Sequence, residues 1–403
     1  MNVYLIATCD TKGAEANFLG QELSRQGMNV RIVDVGCLGK CTIDAHISRD
    51  EVFEAAGTSV LELTQQNNRG LAVDAAARGV RAIVLQAFVA GELDGVISLG
   101  GGAGTMIGTS AMRALPLGVP KVMISTMAAG QVRPYVGDKD ILMLNSVVDI
   151  SGLNRISRPI LRNGAGAMAG MVRIRQESSA TPDEGADRPL IAASMFGVTT
   201  PCVEAARTIL EEAGYEVLVF HATGIGGQTM EALIHEGLLA GVLDITTTEL
   251  ADEHVGGTLS AGPERLRGAA SKGVPQVVSV GATDMVNFAA RDTVPAVFGE
   301  RQLYTHNEQV TLMRTTPTEC SAIGRMIGER VAESTGPAAI LLPGRGVSAL
   351  DAEGQPFDDP IARKQLFEAV QSNRGSVPCS IIDAHINDPD FARAAAQALL
   401  SLI

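Results

Sequence analysis

Four glycines crowd positions 100–104, at Gly100, Gly101, Gly102 and Gly104, between the apolar run GVISL and the helix-like run TMIGTSAMRAL. Glycine weakens helices and strands through its backbone entropy, so this cluster at a strand-to-helix junction signals a need for bare backbone. Bare backbone there serves anion binding, through free N–H groups at a helix start. Glycine also permits positive φ and close approach, and Thr105 can cap the helix or donate its hydroxyl. The competing use is a tight turn that packs helix against sheet. The turn is not a P-loop, because no Gly-Lys-Ser/Thr closes it, and Gly102, Gly104 and Gly108 are spaced too wide for G-x-G-x-x-G.

A second group falls in TCDTKG, which holds Thr8, Asp10 and Lys12. Lys12 can neutralise a phosphate and Asp10 can hold Mg²⁺ through water, or the two can pair with each other. Asp34 ends the next apolar run, about 20 residues beyond that first turn, where an acid can take a ribose hydroxyl. The segment STMAAGQVRPY adds Thr126, with Arg133 in reach of a phosphate. Later loops carry His221, Asp244, Thr246, Thr247, Thr248, Glu249, His254, Asp284, Asn287, His306 and Arg314, groups suited to acid–base work in a second pocket. No G-x-S-x-G elbow and no H-E-x-x-H motif occurs, so no nucleophile or zinc-protease site is named. Cys37 and Cys41 are the only close cysteine pair; with no second pair nearby they fall short of a zinc framework.

The elements that must position these residues repeat. The chain opens with VYLIATCDTKGAEANFLGQELSRQGMNVRIVDVG, and after residue 188 comes PLIAASMFGVTTPCVEAARTILEEAGYEVLVFHATG. Each reads as apolar strand, threonine-containing loop, helix stopped by glycine (Gly27, Gly214), and a second apolar strand. Strands apolar throughout belong to parallel sheets covered on both faces. Further strands are expected at DGVISL, PKVMIS and DILMLNSVV, then at AGVLDITTTE, PQVVSV, AAILLP and CSIIDA. The fold class is therefore α/β, with two Rossmann-like doubly wound parallel-sheet domains related by repetition. The polar stretch RQESSATPDEGADRP separates them. The expected layout is a nucleotide-binding domain over 1–178, a linker over 179–189 and a second domain over 190–403.

Composition narrows the function. The 403 residues carry a formal net charge of −13, and aromatics make up 3%. With no Lys/Arg-rich block and few stacking platforms, nucleic-acid binding is not expected. No run of about 18 apolar residues occurs, so no membrane span is expected. The N-terminus lacks the basic and apolar regions of a signal peptide, and six dispersed cysteines read as reduced thiols. A cytoplasmic location is the expectation.

The longer motifs resemble a family. GGGAGT, ALPLGVPKVMISTMAAGQVRPYVG, MFGVTTPCVEAAR, VFHATGIGG, GVLDITTTELAD, VSVGATDMVNF, HNEQVTLMRTT and GVSALDAEG together look like the ATP-binding domain of the tomato mosaic virus resistance protein. Stand-alone bacterial and fungal homologues make up the same otherwise uncharacterised family. The resemblance spans essentially the whole chain. It implies two Rossmann-like lobes, ATP with Mg²⁺ in the first, and a homodimer. In the plant protein a barrel domain related to phosphoenolpyruvate-utilising enzymes follows. The sequence here reaches Ile403 without one, so a separate barrel protein is an expected partner. The family's glycine loop maps onto Gly100, Gly101, Gly102, Gly104 and Thr105. Geometry alone extends the site to Thr8, Asp10, Lys12, Asp34 and Thr126. Three activities compete: an ATP-dependent enzyme acting on a small acid held by the second lobe, an ATP-binding module without turnover, and an NAD-dependent oxidoreductase.

Overall fold

The computed structural model describes residues 1–37, 39–66, 68–180 and 188–403. By internal contacts the chain divides into two compact units, Met1–Glu184 and Gly185–Ile403.

The first unit runs β1 (Asn2–Ala7), α1 (Cys9–Arg25), β2 (Asn29–Asp34), α2 (Arg49–Ala55), α3 (Val60–Gln66), α4 (Arg69–Val89), β3 (Gly95–Gly100), α5 (Gly102–Arg113), β4 (Lys121–Ser125), α6 (Arg133–Val136), β5 (Leu142–Asn145) and α7 (Ser157–Ala180). Its five strands are parallel, in the order β2-β1-β3-β4-β5. Alternation along each strand feeds two cores. From β1, Tyr4 and Ile6 join Val80, Val84, Ile107 and Ala111 of α4 and α5. Val3, Leu5 and Ala7 face the other way, onto Leu19 and Leu23 of α1 and Leu161 and Met168 of α7. Both faces are thus covered, which is why all six residues of β3 are buried. Helix α1 ends where Gly27 takes φ +83°, a left-handed stop that favours glycine.

The second unit repeats this plan with β6 (Leu190–Met195), α8 (Thr200–Glu212), β7 (Glu216–His221), α9 (Ile225–His235), β8 (Leu239–Thr246), α10 (Glu249–Val255), α11 (Gly268–Lys272), β9 (Gln276–Gly281), β10 (Met285–Phe288), β11 (Leu303–Asn307), β12 (Val310–Arg314), α12 (Pro317–Ala332), β13 (Ala338–Pro343), α13 (Pro360–Asn373), β14 (Cys379–Ile382) and α14 (Pro389–Leu402). Six parallel strands stand in the order β14-β13-β9-β8-β6-β7. Numbered within the unit, its first four strands have the same neighbours as those of the first unit. Two doubly wound parallel sheets are therefore present, as the strand and glycine pattern predicts.

Two features depart from the sequence reading. Segments read there as loops form a separate antiparallel sheet, β10-β12-β11, between β9 and α12. The stretch read as a linker begins as helix, because α7 continues through Ala180; 181–187 lie outside the described residues.

Candidate functional site

In a sheet ordered 2-1-3-4-5, β1 leads to a neighbour on one side and β3 begins growth on the other, and the loops leaving these two strands diverge. A cleft of about 260 Å³ opens there in the first unit. Thr8, Asp10, Thr11 and Lys12 line it from the start of α1, and Gly101, Gly102, Ala103 and Gly104 from the start of α5. Cys37 and Arg69 complete the polar part, with Val73 and Ile107 as apolar wall.

The glycine turn works differently at each position. None of Gly100, Gly101, Gly102 or Gly104 has positive φ, so the turn does not use the left-handed freedom that glycine permits. Gly100 is needed for packing: an added Cβ would lie 2.8 Å from Gly104 Cα. Gly102 meets nothing within 4 Å, since its missing side chain faces open space. Gly101 is the N-cap of α5 and no side chain caps that helix. The first amides of a helix lack intrahelical acceptors, and here the residues that bear them line the cleft.

The remaining predicted residues divide. Thr8 and Lys12 reach the cleft; Thr8 Oγ1 lies 3.0 Å from Thr11 Oγ1, and the Lys12 ammonium donates to the Ile150 carbonyl. Lys12 is also where α1 kinks, at φ −127° and ψ 20°. Asp10 lines the cleft while one of its oxygens accepts from Gly39 N at 3.0 Å. Gly100, Thr105, Asp34 and Thr126 do not line it. Thr105 is fully buried, its hydroxyl donating to Gly101 O at 2.8 Å and bonded to Ser125 Oγ at 2.6 Å. Asp34 is equally buried and accepts from Cys9 N at 3.0 Å and Gly36 N at 2.8 Å. It ties the end of β2 to the start of α1. Thr126 sits beside the turn, its amide donating to Gly100 O at 3.3 Å. Arg133 is exposed at the start of α6 and is not in the cleft lining.

Arg69 and Val73 were not singled out from the sequence, and Cys37 was read there only as half of a close cysteine pair. Arg69 opens α4, whose N-cap Asn68 accepts from Gly70 N and Leu71 N. Asn68 is a recognisable helix-start signal, but nothing in its spacing connects it with β1. The Cys37 thiol is pushed up to about 11, by burial first and by the Asp10 charge second, so it stays protonated and is a poor nucleophile at neutral pH.

Asp244 and Glu249 of the second unit, expected to line a pocket, are instead buried in a network around Arg265. That guanidinium is fully buried; it donates to both Asp244 oxygens at 2.5 and 2.7 Å and to Glu249 at 2.6 Å. Glu249 also accepts from Gly224 N and Gly227 N, locking the start of α9 to that of α10. Thr246, Thr247 and Thr248 are buried beside them. Asp284 is held by Ser348 at 2.8 Å, and burial and then the nearby Asp351 push its carboxyl well up. Burial also raises Asp252 to about 7, against three hydrogen bonds from Asn287 and Leu259 that favour its charged form.

Two doubly wound parallel units, the first with an uncapped glycine helix start at its switch point, define a two-domain Rossmann-like α/β protein. The chain belongs to the family described as "Uncharacterised protein family (UPF0261)", matching its N-terminal domain over residues 1–177 and its C-terminal domain over 188–403. A UPF0261 protein of Clostridium tetani is 46% identical over 403 residues, covering 100% of this chain and 98% of that protein. The ToMV resistance protein Tm-1(GCR237) of Solanum lycopersicum is 40% identical over 420 residues, covering 99% of this chain and 55% of the tomato protein. The ToMV susceptible protein tm-1(GCR26) of the same plant is 39% identical.

Proposed function

We propose that the first unit binds Mg-ATP through the cleft between the starts of α1 and α5. The observation that carries this reading is the uncapped N-terminus of α5 opening on a cleft at the switch point. Such a terminus carries about half a positive charge, with free amides aimed at whatever lies beyond it. Lys12 and Arg69 add formal charge on the same cleft, in a chain whose net charge is −13. A phosphate chain therefore needs these local donors to overcome the global field. The residues fit the expected ion as well. Mg²⁺ on a nucleotide takes one or two carboxylates with phosphate oxygens and water, and Asp10 supplies a carboxylate in the lining. The open space beside Gly102 is where a phosphate can approach the backbone. The resemblance of the motifs to an ATP-binding domain points the same way.

A second reading, ATP held without turnover, is favoured by one observation: Asp244 and Glu249 are committed to Arg265 and are not presented to a substrate. Homodimer formation, a separate barrel partner, a small-acid substrate and a cytoplasmic setting enter these readings from the sequence and its resemblance alone. Calorimetry and an ATPase assay on the full chain test the proposal together. Mg-ATP is expected to bind more tightly than NAD, with weaker binding in Lys12→Ala and Arg69→Ala. Tighter NAD binding overturns the reading in favour of an oxidoreductase. Binding with no ATP consumption across a library of small acids selects the module over the enzyme.

A further inference from the structure

The cysteines that are close in sequence are not the ones that converge in space. Cys41 approaches Cys9 and Asp34: one Sγ from each cysteine and one carboxylate oxygen of Asp34 all lie within 4.8 Å of one another. We propose that these three residues bind a thiophilic divalent cation of the zinc class.

The site is built from three segments: the first residue of α1, the last residue of β2 and the loop after it. A tetrahedral ion with metal–sulfur bonds of about 2.3 Å and metal–oxygen bonds of about 2.1 Å sets its ligand atoms roughly 3.5–3.8 Å apart. The observed spacing is thus within about an ångström of what such an ion needs. Surrounding contacts hold the ligands in place. Asp34 is oriented by the Cys9 and Gly36 amides, the kind of outer-shell support that fixes a ligating carboxylate. The loop bearing Cys41 is pinned on α1, because Thr42 donates both its amide and its hydroxyl to Cys9 O. Gly13 makes room for this, since a Cβ there would fall 2.0 Å from Thr42 Oγ1. Cys9 and Asp34 are buried, and exposed Cys41 gives the ion its way in.

Without metal, the Cys9 thiol donates to Ala7 O at 3.5 Å and the Cys41 thiol to Ile43 O at 3.0 Å. On binding, both S–H protons leave to solvent, two sulfur–metal bonds and one oxygen–metal bond form, and nothing is oxidised or reduced. Three protein ligands leave a fourth position for water. The neighbours of Cys9 and Asp34, namely Thr8, Asp10 and Gly36, lie at or beside the nucleotide cleft. The ion therefore fixes the edge of that cleft, although its binding does not depend on a nucleotide.

The test is a titration of the reduced, chelator-treated full chain with Cd²⁺, read by the cadmium–thiolate charge-transfer absorption, with Zn²⁺ as competitor. One Cd²⁺ per chain is expected, displaced by Zn²⁺. Cys41→Ser is at an exposed position, so its fold is checked by an unchanged circular dichroism spectrum. It is expected to lose affinity by more than the roughly 10–100-fold typical of removing an outer-shell partner. Cys37→Ser is expected to bind as the native chain does. Absence of the band at stoichiometric Cd²⁺, an unaltered band in Cys41→Ser, or its loss in Cys37→Ser overturns the proposal.

Discussion

Arg265 shows what a buried charge does in this molecule. Its guanidinium meets Asp244, Glu249 and, at 3.4 Å, Glu231, with no solvent exposure on its side chain. Removing one partner of such a network leaves the others charged and unpaired, which costs about 3–5 kcal/mol. Arg265→Met is therefore expected to lower the unfolding free energy by that order, read from urea unfolding curves. Asp252 behaves oppositely with pH. Its folded value of about 7 exceeds the ordinary 3.8, so the folded state holds a proton that the unfolded state has released. Between those values stability falls as pH rises, because the folded state then binds more protons than the unfolded one. Asp252→Asn removes this titration. Melting curves collected from pH ~5 to ~8 should show a flatter slope in the variant than in the native chain. An identical slope in both would mean that Asp252 is charged throughout.

At the scale of elements, the junction of β3 and α5 sets two neighbouring glycines to different tasks. Gly100 lets the first turn of α5 pack against the strand end, and Gly102 leaves the cleft open. Gly100→Ala pushes a methyl group against the Gly104 backbone and is expected to destabilise the protein by about 1–3 kcal/mol, the usual cost of overpacking. Gly102→Ala meets no atom, and calorimetric melting should place it within about 0.5 kcal/mol of the native chain. The same contrast explains what was legible locally. A need for bare backbone is written in residue type, so the glycine turn and the TCDTKG loop can be read directly. The work of Asp34 is set by α1 across the sheet, and that of Thr105 by Ser125 on β4, and neither neighbour is near in sequence.

For the whole molecule, two copies of a strand–helix–strand plan were readable because each apolar strand must be covered on both faces. The glycine stops at Gly27 and Gly214 also fall where φ is +83° and +95°. The antiparallel sheet β10-β12-β11 was not readable, because its strands are short and pair only with one another. The approach of Arg69 and Cys37 to the cleft was hidden for a related reason: the topology, not the spacing, brings them there. Asp244 and Glu249 of the second unit carried a misleading signal, since residue types suited to catalysis also build a buried ion network. The most direct test of the central claim is calorimetric titration of Mg-ATP into the native chain and into Gly102→Val. The account predicts one site per chain, with affinity reduced roughly 100-fold or more in the variant, about 2.7 kcal/mol, while its ligand-free melting is unchanged. Equal affinity in the two proteins would contradict it.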